Sequence, residues 1–244
     1  MNVRSNRCVI FWRRLSMIVL QAALRVAIRR RYAGLEHIPC DGGAIVVANH
    51  VSKLDSLAIA GFVGAAGRWP RFLAKAPLFG IPVVGRFLVS MRQIPVNRGG
   101  ADAADALVVA AEAVRAGDVV IIYPEGGTPK PWETPLSKGK TGAARLWLST
   151  GAPVVPVASW GPQNILDPAT GRLRLRPRTP VIVVAGPPLE LSPGSVGDVS
   201  GADPREITEE IMRALRALAD GAAEAGRGVV PRRSSAGRGA GNRR

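Results

Sequence analysis

The chain has 244 residues, 47% of them hydrophobic, with a mean hydropathy of +0.12. That is long enough for a full core and too apolar for a disordered protein, and one large α/β domain fits the length better than two small ones. The net charge of +15 is unevenly placed: residues 1–35 hold eight Arg and no acid, residues 222–244 hold six Arg and one Glu, and 36–221 hold 19 basic and 17 acidic residues. A near-neutral body with cationic ends and 5% aromatic content argues against a nucleic-acid reader and suits an anionic membrane surface. Two cysteines, Cys8 and Cys40, and two histidines, His37 and His50, are too few for a disulfide scaffold or a structural zinc site.

Taken in chain order, the first element is a helix over 8–28. In helical register Arg7, Arg14, Gln21, Arg25 and Arg29 share one face, and Phe11, Trp12, Leu15, Ile18, Val19 and Val26 fill the rest. Such a helix either lies in a headgroup layer with its arginines reaching phosphates or packs on the core with one solvated edge. No stretch of 18 or more uncharged apolar residues indicates a membrane span, and Arg25 interrupts the apolar run that an export signal would need. Ala44–Ala48 reads as a strand buried on both faces, followed by a polar turn over 49–55 and a helix over 56–66. Strands are then expected at 71–75, 93–96, 119–123, 153–158 and 181–184, with helices at 102–116, 139–149 and 204–220 and an apolar, turn-rich segment over 77–90. Strand–helix alternation implies an α/β fold, a mostly parallel sheet flanked by helices, with functional groups at the strands' carboxyl ends. Residues 172–178, RLRLRPR, read as an edge or loop with a solvated Arg face. The organisation expected is an amphipathic, membrane-associated helix over 1–34, a catalytic domain over 35–221 and a disordered basic tail over 222–244.

Chemistry concentrates at three strand ends. In Asn49-His50-Val51-Ser52-Lys53-Leu54-Asp55, a carboxylate five residues after a histidine can orient the imidazole across one helical turn, giving a general-base dyad. The same residues also read as a helix cap, since Ser52-x-x-Asp55 fits a capping-box variant. Arg98, after a strand and before a helix, suits a phosphate. The glycines of Tyr123-Pro124-Glu125-Gly126-Gly127-Thr128 expose backbone N–H groups suited to an anion.

The order of these segments resembles the glycerolipid acyltransferases of the 1-acylglycerol-3-phosphate acyltransferase type. Asn49-His50-(four residues)-Asp55 looks like the family's first motif, Val96-Asn97-Arg98 like its second, Tyr123-Pro124-Glu125-Gly126 like its third and Val154-Val155-Pro156-Val157 like its fourth. Lys75 matches a basic position between the first two. The third motif departs from the family's Glu-Gly-Thr-Arg: Gly127 displaces Thr128, and Pro129 stands where arginine would follow, with Lys138 or Lys140 able to supply the charge. Asn97 departs from the second. These differences bear on the acceptor rather than on the chemistry.

The resemblance implies acyl transfer from an acyl-CoA or acyl-carrier protein to the free hydroxyl of 1-acylglycerol-3-phosphate, giving phosphatidic acid. His50 is the implied base and Asp55 its orienting partner. Asn49, Lys75, Arg98, Glu125, Gly126, Gly127 and Thr128 are the implied acceptor-binding groups. It implies no metal and no cofactor. The charge placement and the N-terminal helix point to an anionic membrane surface rather than to a nucleic acid, and the protein is expected at the cytoplasmic face of the cell membrane, peripheral or monotopic. Transfer to glycerol 3-phosphate, another lysophospholipid or a glycolipid is the alternative, and a non-catalytic peripheral lipid binder is a further one.

Overall fold

Ala44–Ala48 forms a strand, β2, in which every residue is buried, and a run with no polar side chain is stable only where both sheet faces are covered. The computed structural model describes residues 3–97, 102–127, 136, 139–174, 176, 178–192 and 203–229. Among them, one seven-stranded sheet combines β1 (Ile28–Ala33), β2, β3 (Pro70–Lys75), β4 (Ile94–Val96), β5 (Val119–Ile122), β6 (Val154–Trp160) and β7 (Thr179–Ala185) in the order β1-β7-β6-β2-β5-β3-β4. β2 pairs in parallel with β5 through Val46 and Ile121 and with β6 through Val46 and Val155. β3 is parallel to both β5 and β4. The direction reverses once, between β6 and β7, and β1 follows β7 in parallel. The expected α/β class, mostly parallel and flanked by helices, is the class observed.

The α-helices among the described residues are α1 (Val3–Ala27), α2 (Asp55–Ala65), α3 (Pro82–Ser90), α4 (Asp102–Arg115), α5 (Gly142–Thr150) and α6 (Pro204–Val229). Alternation along β2 divides the core. Ala44, Val46 and Ala48 pack with Leu24 of α1 and Ile59, Phe62 and Val63 of α2. Ile45 and Val47 pack with Ala110 of α4, Leu146 of α5 and Ile211 of α6. The two glycines of α2 that face α1 allow close approach: a Cβ at Gly61 would stand 2.4 Å from Cδ1 of Leu24, and one at Gly64 would stand 2.1 Å from the sulfur of Met17.

Three expectations are corrected. The N-terminal helix stops at Ala27, so Arg29 belongs to β1, where Ile28, Arg30 and Tyr32 turn inward and Arg29 and Arg31 outward. The polar stripe is not one solvated face either, because Gln21 donates to the Gly61 carbonyl at 2.6 Å and accepts from Arg30, while Arg14 and Arg25 stay exposed. Residues 28–33 are therefore part of the sheet rather than of a separate helical unit. At the other end, residues 222–229 continue α6 instead of opening a tail, with Ala222 buried and Gly226 against the indole of Trp160; residues 230–244 lie outside the described residues. The third correction is α3, a helix formed inside the segment expected to be turns.

Candidate active site

Because β2, β3, β5 and β6 run in parallel, their carboxyl ends share one rim, and the sequence places polar residues at three of those ends. Asn49 leaves β2 and clamps it to β6: its amide donates to the Ser159 carbonyl at 3.1 Å and accepts from the Ser159 N–H at 2.7 Å. Both of its polar ends are engaged and its side chain is buried, so the assignment of Asn49 to substrate is corrected to positioning.

His50 follows, with Nδ1 3.0 Å from Oδ2 of Asp55, the first residue of α2. The histidine side chain is 13% exposed and the aspartate 0%. Oδ2 of Asp55 also accepts the Ser52 N–H at 2.7 Å, and Ser52 Oγ donates to the Leu166 carbonyl at 2.9 Å. One oxygen atom thus serves the histidine and the turn that leads into α2, whose N-cap position is Leu54 with no side-chain cap, so the capping-box variant does not form. Burial pushes the Asp55 carboxyl up, against the opposing pull of the hydrogen bonds from His50 and Ser52. The Tyr123 ring stacks on the imidazole, centroids 4.4 Å apart and planes 23° apart, so the histidine is held by its edge and by its face.

Glu125, at the end of β5, takes a different place from the one expected. Its Oε1 accepts the His50 N–H at 2.7 Å, and its Oε2 accepts the Leu136 N–H at 3.4 Å. The carboxylate therefore ties the β5 loop to the backbone of His50, which corrects its assignment to the acceptor. Burial pushes the Glu125 carboxyl up, and the His50 N–H pulls it down. Gly126 turns with φ +75°, and a Cβ there would lie 2.8 Å from Nζ of Lys140, so the Lys140 side chain reaches this loop. Arg98, Thr128 and Lys138 lie outside the described residues.

A cavity of about 650 Å³ opens in front of the histidine. His50, Lys53, Tyr123, Gly127 and Lys75 are among its lining residues, with Met17 and Leu20 of α1, Leu57 of α2, Phe72 of β3 and Phe87 and Leu88 of α3. Lys75 ends β3 opposite Val96 of β4, two residues ahead of Arg98 in the chain. Tyr123 and Lys53 are among the lining residues to which the sequence reading gave no role. Tyr123 continues the inward parity of Val119 and Ile121 on β5, a period-two signal that places it beside His50; Lys53 carries no signal beyond its place inside the first motif. Among the described residues, no group of three or more His, Cys, Asp or Glu comes together at metal-ligating distance, and no helix is long and apolar enough to cross a membrane.

A buried His–Asp pair at a parallel-sheet rim, facing a mainly apolar cavity, describes a protein built to act on a hydroxyl or ester of an apolar substrate. Residues 29–160 match the acyltransferase family model, and the chain belongs to that family. It is 33% identical over 135 residues to a chloroplastic 1-acyl-sn-glycerol-3-phosphate acyltransferase of Brassica napus, covering 54% of this chain and 38% of the relative. It is 30% identical over 181 residues to the corresponding chloroplastic enzyme of Arabidopsis thaliana, covering 73% of this chain and 48% of the relative. The chain thus spans less than half the length of these curated relatives. The crystal structure of the 1-acyl-sn-glycerophosphate acyltransferase PlsC of Thermotoga maritima superposes with a TM-score of 0.61 at 28% identity, over 84% of this chain and 80% of that one.

Proposed function

We propose that the protein transfers a fatty acyl group from an acyl thioester, acyl-CoA or acyl-carrier protein, to the free hydroxyl of 1-acylglycerol-3-phosphate, at the cytoplasmic face of a membrane to which it binds peripherally. The observation that carries this reading is the His50–Asp55 pair, with His50 lining a mainly apolar cavity; the family, and relatives named for this activity, support it.

Asp55 accepts the Nδ1–H of His50, so the imidazole presents Nε2 as a proton acceptor. The acceptor hydroxyl gives its proton to Nε2 as its oxygen attacks the thioester carbonyl. Collapse of the tetrahedral adduct breaks the C–S bond, and the imidazolium returns the proton to the departing thiolate. The Asp55 charge and the stacked Tyr123 ring both favour the transient imidazolium. Lys75 and Lys140, together with Arg98 and the Gly126–Gly127 turn, supply the cationic and N–H groups for the acceptor phosphate. The apolar wall takes the acyl chain, and α1 rests on the bilayer with Ile18 and Val19 outward, 65% and 59% exposed.

The test is transfer of a radiolabelled acyl group over a panel of acceptors: 1-acylglycerol-3-phosphate, glycerol 3-phosphate, other lysophospholipids and a glycolipid. The highest kcat/KM is expected on 1-acylglycerol-3-phosphate, with a His50→Ala protein slower by about 10²–10⁴-fold. A folded His50→Ala protein turning over at the wild-type rate overturns the mechanism, and preference for another acceptor overturns the substrate.

A further inference from the structure

The segment after β3 has a surface that the catalytic reading leaves unexplained. In α3, Val83, Phe87 and Val89 are 79%, 54% and 64% exposed, and the turn before it adds Ile81 at 46%. A single residue of the helix, Gly85, is fully buried. A Cβ at that position would stand 2.0 Å from the Phe79 carbonyl oxygen, so the helix touches the body along a narrow seam. Exposing a contiguous apolar helix to water is unfavourable, and such a surface in a folded domain marks a partner.

The charge around it names the partner's chemistry. Residues 56–101 contain six basic residues and no Asp or Glu, and Arg86 on α3 and Arg92 just beyond it are both exposed. An apolar helix framed by arginines and free of acids has the pattern of an interfacial helix on an anionic lipid surface, the apolar side chains in the acyl boundary and the guanidinium groups at the phosphates. A second copy of this chain is disfavoured, because two surfaces carrying only positive charge repel each other. Geometry agrees with a bilayer. Phe87 and Leu88 of α3 line the catalytic cavity, as do Met17 and Leu20 of α1, so the two helices with outward apolar faces flank one opening.

We propose that α3 and the turn before it form a second bilayer-docking element, seated in the headgroup layer of an anionic phospholipid membrane beside α1, with the cavity opening between the two helices toward the lipid. The docking stands on exposure and charge alone; passage of a lipid chain from the bilayer into the cavity rests on the acyl-transfer reading.

Full-length wild type and a Val83→Glu/Val89→Glu protein are compared by co-sedimentation with vesicles of phosphatidylcholine alone and of phosphatidylcholine with phosphatidylglycerol, without substrates. Neither valine lines the cavity, and both are exposed, so thermal unfolding is expected to stay unchanged. Wild type is expected to partition more strongly onto the anionic vesicles, and the double variant about tenfold or more weakly. A Val83→Ser/Val89→Ser protein, expected to show a smaller loss, serves if the glutamates disturb folding. Partitioning equal to wild type in both variants overturns the proposal. So does intact vesicle binding accompanied by loss of binding to an acidic acyl-carrier protein, or by loss of a dimer in analytical ultracentrifugation. Valine-dependent vesicle binding by a protein that transfers no acyl group upholds the docking surface and overturns the acyl-transfer reading alone.

Discussion

One oxygen atom, Oδ2 of Asp55, accepts from both the imidazole of His50 and the N–H of Ser52, and substitution can separate these hydrogen bonds from the charge of the carboxylate. In an Asp55→Asn protein the amide oxygen, set in the place of Oδ2, still accepts both, so the loss of stability should stay below about 1 kcal/mol. The charge that favours the imidazolium is gone, so kcat should fall by roughly 10²–10⁴-fold. Asp55→Ala loses both duties, and its melting temperature should drop as well; an Asp55→Asn enzyme with wild-type kcat would remove the dyad from the mechanism. Glu125 gives a second prediction, with the sign opposite to that of an ordinary salt-bridged carboxylate. Burial raises its folded pKa above the usual 4.5, so the folded state binds more protons than the unfolded one, and stability falls as pH rises from that value through the raised one. In Glu125→Gln this decline should be shallower, as measured by melting temperature across the same range; an unchanged slope would assign the decline to other groups. The His50–Asp55 pair was legible because a five-residue spacing after a fully buried strand leaves the two side chains few places to go. The role of Glu125 was not, since its partner is the backbone of a residue 75 positions away, and a glycine-rich turn reads as a ligand loop whether its carboxylate faces outward or inward.

Between elements, the approach of α1 to α2 depends on two missing side chains. A methyl at Gly61 would meet Leu24 Cδ1 at 2.4 Å and the Tyr32 hydroxyl at 2.9 Å, one from α1 and one from β1. Gly61→Ala should therefore destabilise the fold by about 1–3 kcal/mol, the range for overpacking. It should also change chain-length preference, because Met17 and Leu20 of the displaced helix line the cavity. Chemical denaturation reads the first effect and competition between thioesters of different length the second; a stable variant with wild-type preference would mean that α1 does not shape the cavity. Helices α2, α4 and α5 followed from the apolar face each presents, and strands β2, β5 and β6 from short apolar runs that are buried almost throughout. β1 did not, because three consecutive arginines mask its alternation, which resides in Ile28, Arg30 and Tyr32. Nor did α3: it spans nine residues in which Arg86 and Ser90 are the polar side chains, too few to mark a period, and two prolines, Pro77 and Pro82, punctuate the segment as turns.

For the whole molecule, the proposed bilayer contact predicts a loss of vesicle binding without a loss of fold. Ile18→Glu/Val19→Glu changes two outward residues of α1, so unfolding free energy should shift by no more than about 0.5 kcal/mol each, while activity on vesicle-embedded acceptor should fall more than activity on a short-chain soluble one. Equal losses on both acceptors would place α1 in the fold rather than at the membrane. The reversal between β6 and β7 has a consequence of another kind. It brings β1 beside β7, so Ile28 stands in register with Thr179 across about 150 residues of chain, while the arginines of β1 and the apolar face of α1 are synthesised near the beginning of it. Long-range pairing forms late because loop closure must precede its reward. During translation at roughly 5–20 residues per second, α1 and β1 therefore spend roughly 8–30 seconds without the strand that anchors them, and under the proposed bilayer contact their arginines would reach the anionic surface before that strand pairs.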